Sequence, residues 1–129
     1  MSERYPDLEL YVLKPTIEDI EQWLQSSFTK HNIKLTHQDQ NHCQWLISGD
    51  SFEMPVHLTL AAIKQFASLW FKTNLTDWST DLDAARQLYQ FLSKEVRCSD
   101  SSWQDGDDES GQTGWIKINQ KGEQRFEWF

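Results

Sequence analysis

The chain has 129 residues and a formal net charge of −8, and it contains seven tryptophans and seven phenylalanines. This length predicts one domain, spanning residues 1–129, that buries roughly two thirds of the surface its unfolded form exposes. A nucleic-acid partner requires a local cluster of lysine and arginine that neutralises phosphates. No such cluster occurs along the chain, so the sequence predicts no nucleic-acid partner.

The first ten residues, MSERYPDLEL, lack the apolar run of a signal peptide. No stretch approaches the roughly 20 apolar residues of a membrane span. We therefore predict a cytoplasmic protein without a membrane partner. In that reducing compartment Cys43 and Cys98 are expected to be buried free thiols, with no disulfide between them.

The first predicted elements are a strand over residues 8–14 and a helix that starts after Thr16. Pro15 ends the strand, and Thr16 with Asp19 has the spacing of a capping box. Both faces of the strand carry apolar residues, which predicts a position inside the sheet. The apolar stripe expected on the helix consists of Ile17, Ile20, Leu24 and Phe28.

Two short strands over 33–37 and 43–48 are separated by turn-forming residues, which predicts a hairpin. Residues 52–60 then alternate between apolar and polar side chains, as a half-buried strand does. Pro55 has no N–H for a ladder, which favours an edge strand or a nearby bulge. For residues 60–71 the pattern leaves helix and strand open, and we favour two strands around a short connector.

The best-marked helix begins at Thr80, three residues before Asp83, where a second capping box is expected. Its apolar positions recur at three- and four-residue steps: Leu82, Ala85, Leu88, Tyr89 and Leu92. A strand over 96–99 and a mobile acidic loop over 99–113 should follow. The chain then closes with a hairpin that turns around Gly122.

These elements predict an α+β fold, in which two helices pack on one face of a mainly antiparallel sheet of about six to eight strands. The order of elements is also compatible with a ferredoxin-like core with extra strands. Folds of this class host many unrelated functions, so function has to be argued from side chains.

No catalytic residue, metal site or cofactor is predicted from the motifs. His37 and His42 can face each other across the first hairpin with Asp39 nearby, but their spacing matches no common zinc motif. We interpret them as solvated turn residues. Asp105 to Glu109 departs from a calcium loop, and nucleophile elbows and phosphate loops do not occur. An enzyme is therefore the less favoured class.

The surplus of aromatic residues is the main positive signal. Neighbours in a strand face opposite sides, so Trp70 and Phe71 cannot share one core, and the same holds for Trp128 and Phe129. A sheet with helices on one side only leaves such rings exposed unless loops or strands cover them. The predicted partner-binding residues are Trp70, Trp78, Trp103, Trp115, Trp128, Asp105, Asp107, Asp108 and Glu109.

The sequence therefore favours a small non-enzymatic domain that contacts an unidentified partner protein, of the adaptor, regulatory or immunity type. One alternative is a small-ligand domain or an enzyme with an aromatic pocket lined by Trp70, Trp78, Trp103 and Trp115. Another is a homodimer formed along a sheet edge.

The stretch SLWFKTNLTDWSTDLDAARQLYQFLSKEVRCS, followed by the GWIKI and EWF segments, resembles small uncharacterised single-domain proteins of Gram-negative bacteria. The resemblance covers most of the chain from about Leu58 onward. It implies a bacterial cytoplasmic protein and assigns no functional residue.

Overall fold

The structure is a computed structural model that describes residues 6–99 and 114–126. Two helices and eight strands occur within these ranges. Their bounds in chain order are β1 Leu8–Leu13, α1 Ile17–Ser27, β2 Asn32–Gln38, β3 His42–Ser48, β4 Glu53–Ile63, β5 Phe66–Phe71, α2 Asp81–Leu92, β6 Val96–Ser99, β7 Trp115–Asn119 and β8 Gly122–Phe126. Neither described helix is long and apolar enough to cross a membrane.

The eight strands form one sheet in the order β2-β3-β4-β5-β1-β6-β7-β8. Every neighbouring pair in that order is antiparallel. Strand β1 lies between β5 and β6, as its two apolar faces predicted. The α+β class with an antiparallel sheet is thus confirmed, whereas the ferredoxin-like core stays a prediction.

One face of the sheet forms the main core together with both helices. Because strand side chains alternate between faces, the register places the buried apolar residues of neighbouring strands side by side. The pairs that cross the centre of this face are Leu8 with Phe71, Leu10 with Leu69, Leu58 with Leu69, and Val12 with both Ala67 and Val96. All of them are buried.

Helix α1 packs on this core face through Ile20, Trp23 and Leu24, and the Trp23 ring lies 6.1 Å from that of Phe71. Helix α2 packs through Ala84, Ala85 and Leu88. No described helix packs on the opposite side of the sheet, which we call the helix-free face.

The predicted strands around a short connector at residues 60–71 are confirmed, since β4 and β5 are joined at Lys64 and Gln65. The predicted edge position of Pro55 is wrong, because β4 lies between β3 and β5. The proline is tolerated because it lies at the end of the β4–β5 ladder. There its carbonyl accepts from the N–H of Lys72, one residue beyond β5.

The two capping boxes differ. Thr16 and Asp19 form both bonds of the box at α1. At α2 the Thr80 hydroxyl accepts from the N–H of Asp83, but the reciprocal bond is not formed. The Asp83 carboxylate instead lies 3.9 Å from Arg86 Nη1.

Both cysteines are buried and neither forms a disulfide, as expected. Part of the predicted binding surface lies outside the described residues. This holds for the acidic loop from residue 100 onward and for Trp103, Asp105, Asp107, Asp108, Glu109 and Trp128.

Candidate functional site

Trp70 is a central aromatic residue of the helix-free face. It pairs with His57 of β4 on one side and with Glu9 of β1 on the other. Its ring is half-buried and lies 5.4 Å from the His57 ring, and its Nε1 donates to the Asp7 carboxylate at 2.8 Å. Trp70 and Phe71 face opposite sides of the sheet, as strand alternation predicted, and it is Trp70 that lies on the helix-free face.

Three histidines continue from Trp70 towards the β2 edge of the same face. The ring centres of His57 and His42 are 5.6 Å apart, as are those of His42 and His37. Partial burial, with the nearby His42 and Lys72, lowers the pKa of His57. At neutral pH its imidazole is therefore uncharged.

The other half of the helix-free face combines aromatic rings with cations. Trp115 contacts Tyr11 edge to face at 5.7 Å. The Arg97 guanidinium lies over the Phe66 and Phe126 rings, at 4.1 and 4.8 Å from their centres. These contacts are cation–π pairs, which gain strength as they lose water.

Ionisable groups in this half are held by their neighbours. Burial and the adjacent Glu9 raise the pKa of Tyr11 to about 12, so the phenol stays protonated. Burial alone would raise the pKa of Glu95, but hydrogen bonds from Asn119 and Arg97 lower it. Glu95 is thus a carboxylate paired with Arg97 at 2.7 Å.

Trp78 lies on the other side of the sheet. Its ring stacks on Trp23 at 5.1 Å with the planes nearly parallel, and it meets Phe71 edge to face. The loop before α2 fixes this position, since Asn74 and Thr76 both donate to the Trp78 carbonyl.

Together with Phe28 and Phe91, Trp78 lines a cleft of about 400 Å³ between the helices. The structure therefore brings Trp70 and Trp115 to one face and Trp78 to the other. The described members of the predicted aromatic pocket do not converge on one cavity.

A second cleft, of about 610 Å³, lies where β1 ends, α2 ends and the β7–β8 hairpin turns. Four lysines line it, and we call it the lysine cleft: Lys14, Lys94, Lys117 and Lys121. Lys94 is anchored, because its Nζ donates to the Lys14 carbonyl at 2.9 Å and contacts Asp19 at 3.1 Å. Sequence reasoning missed this cleft because its lysines come from three segments that lie far apart in the chain.

A search against protein-family models, curated proteins and solved structures found no match to this chain.

Proposed function

We propose that this protein is a non-enzymatic interaction domain and that it binds a partner protein with its helix-free face. The observation that supports the proposal is the position of two half-buried tryptophans, Trp70 and Trp115, on the face of the sheet that the two helices do not cover. Protein interfaces are enriched in tryptophan, tyrosine and arginine, and these residue types dominate their binding energy.

The aromatic side chains of this face are pre-ordered. Trp70 is fixed by Asp7 and His57, and Trp115 by Tyr11. A side chain that is already held in one rotamer loses little entropy when a partner covers it. Binding through these rings therefore loses less side-chain conformational entropy than binding through mobile surface side chains.

The charges of the face favour a partner with acidic character. Two carboxylates of the face are occupied internally, Glu9 by the Ser68 hydroxyl and Glu95 by Arg97. Lys34 and Lys72, in contrast, are exposed, and Lys72 lies near His57. A partner that carries carboxylates around an apolar centre would pair with both lysines and cover Trp70.

The test compares Trp70→Ala with Phe91→Ala as bait in a quantitative pull-down from native lysate. Phe91 is a matched control, because it is an exposed aromatic residue on the helix side, 43% accessible. A partner bound on the helix-free face should be recovered by the wild-type chain and by Phe91→Ala. The affinity of Trp70→Ala for this partner should be about 30-fold lower, which corresponds to a hot spot of about 2 kcal/mol.

Circular dichroism must show that both variants are folded. Recovery of the same proteins by Trp70→Ala and the wild type would contradict the proposal, as would their loss with Phe91→Ala. Light scattering on the purified chain identifies the case in which the partner is a second copy. The dimer should then dissociate in Trp70→Ala and persist in Phe91→Ala.

The lysine cleft supports a second candidate function, the binding of a small anionic ligand. Four lysines line the cleft against one carboxylate, Glu95, which is paired with Arg97, so the lining carries a net positive charge. The cleft also has a volume typical of ligand sites. This alternative retains the small-ligand class but moves the site away from the tryptophans.

A thermal-shift screen with phosphates and di- and tricarboxylates tests this second candidate. A ligand at 100 times its Kd should stabilise the fold by about 2.7 kcal/mol. Lys121→Gln should reduce the shift, whereas Lys64→Gln, in the β4–β5 turn, should not. Equal shifts in both variants would exclude the cleft as the site.

A further inference from the structure

We propose that His37, Asp39 and His42, at the β2–β3 hairpin, form a binding site for a divalent transition-metal ion of the zinc type. Metal binding at this hairpin is an activity beyond partner binding and does not depend on it. One ligand atom from each of the three side chains lies within 4.8 Å of the other two. Two imidazoles and one carboxylate are a ligand set that zinc uses in proteins, with water at the open position.

One edge of this site already has the spacing that a bound ion requires. With bonds of 2.0–2.1 Å, two ligand atoms around tetrahedral zinc are about 3.3 Å apart. His37 Nε2 and Asp39 Oδ2 are separated by 3.1 Å. The metal would take the place of the proton that these two atoms share. That proton would move to Nδ1 of a neutral His37 imidazole, whereas an imidazolium already protonated on Nδ1 would release it to solvent.

A β-bulge brings His37 to the correct side of the sheet. Leu35 pairs with Trp45, but the next pair joins His37 to Gln44, because Thr36 is the extra residue. In a regular strand Leu35 and His37 would share a face, whereas the bulge places them on opposite faces. His37 thereby lies on the helix-free face, next to its partner Gln44. His42 lies on the same face, because it is two residues before Gln44 in β3.

The hairpin turn holds the Asp39 carboxylate in position. Its Oδ1 accepts from the backbone N–H groups of Asn41 and His42, both at 2.9 Å. These bonds leave Oδ2 directed at His37. A ligand whose second oxygen is fixed by the backbone binds a metal with less loss of conformational freedom.

His57 supports the site from β4. Its ring stacks on that of His42, with 22° between the planes and 5.6 Å between the centres. We therefore assign His57 a positioning role, in which it restricts the rotation of the His42 imidazole. His37 and Asp39 are more than half exposed, so an ion can enter from solvent without opening the fold.

The test is isothermal titration of the tag-free, chelator-treated, reduced chain with ZnCl₂. We expect one equivalent to bind. Loss of an outer-shell partner costs metal sites about 10–100-fold in affinity, so His37→Gln and His42→Gln should each weaken binding at least tenfold. His31→Gln is the matched control, because His31 packs between Phe28 and Phe52, away from the three ligands.

NMR of the imidazole carbons during the titration provides a second readout. Zinc should shift the ring signals of His37 and His42 and leave that of His31 in place. MgCl₂ should give no heat, because a hard cation prefers a ligand set of oxygens. The proposal fails if the His37→Gln, His42→Gln double variant binds zinc as the wild type does. It also fails if zinc leaves the two ring signals unchanged or if magnesium binds equally well.

Discussion

Asp81 is the first residue of α2, and only 8% of it is accessible to solvent. Its Oδ1 accepts from the N–H of Glu9 at 3.1 Å, and its Oδ2 accepts from the Ser99 hydroxyl at 3.2 Å. One carboxyl group thus joins the start of α2 to β1 and β6. Burial raises the pKa of Asp81 to about 6, although both hydrogen bonds oppose the shift.

This raised pKa predicts a specific pH dependence for Asp81→Asn. The folded chain binds the proton more tightly than the unfolded chain, so Asp81 stabilises the fold below about pH 4. That contribution is lost as the pH rises through about 6. Asparagine does not titrate. Its Oδ1 can accept from the N–H of Glu9, and its NH2 group can donate to the Ser99 hydroxyl, which then reverses its role from donor to acceptor. The variant should therefore gain stability relative to the wild type between pH 4 and pH 7, by at most about 3 kcal/mol.

Urea unfolding at both pH values measures this difference. Asp83→Asn is the control, since Asp83 lies two residues later in the first turn of α2 and its carboxylate is exposed. A constant stability difference between Asp81→Asn and the wild type from pH 4 to pH 7 would contradict the role assigned to Asp81. So would an equal pH response in Asp83→Asn.

At the scale of elements, the cap of α1 is a complete capping box. The Thr16 hydroxyl accepts from the N–H of Asp19 at 3.0 Å, and the Asp19 carboxylate accepts from the N–H of Thr16 at 3.1 Å. The same carboxylate contacts Lys94, which joins the start of α1 to the segment after α2. These bonds, led by that from the backbone of Thr16, lower the pKa of Asp19.

Thr16→Ala is expected to destabilise the chain by about 1 kcal/mol, because it leaves a helix N–H without its acceptor. Thr29→Ala, at an exposed threonine in the turn after α1, should change the free energy of unfolding by less than about 0.5 kcal/mol. Urea denaturation of both variants provides the comparison. Equal losses would mean that the box does not stabilise α1.

The sequence predicted these elements well because capping boxes, turn residues and apolar spacing act over a few residues. Its prediction of the apolar stripes was less complete. Trp23 and Ala84 are buried although neither was assigned to a stripe, and Asp81 is a buried acid. The burial of such residues depends on which strand packs opposite them, and short-range spacing does not contain that information.

At the scale of the whole molecule, the strand order could not be read from the chain, because β1 pairs with strands that lie some 58 and 85 residues later. The candidate sites have the same origin. Trp70 was predicted to face away from Phe71 on alternation alone. The approach of His42 to His57 required the pairing of β3 with β4, and the position of His37 required the bulge at Thr36.

The position of a leucine across the sheet should decide how much it stabilises the chain. Leu69 is fully buried in β5, between β4 and β1, whereas Leu35 is 40% accessible on the edge strand β2. Leu69→Ala should cost about 2–5 kcal/mol, since it removes buried methyl groups and leaves a cavity. Leu35→Ala should cost only about 1 kcal/mol, because its side chain is partly exposed already. Denaturant unfolding at a low and a high protein concentration measures both.

The same experiment tests the sheet-edge homodimer. The bulge at Thr36 and the charge of Lys34 are features by which edge strands avoid pairing with another chain. We therefore expect the small effect of Leu35→Ala to be the same at both concentrations. If the cost of Leu35→Ala grew with protein concentration, Leu35 would be buried by a second copy at the β2 edge. The helix-free face would then lose its place as the leading contact surface.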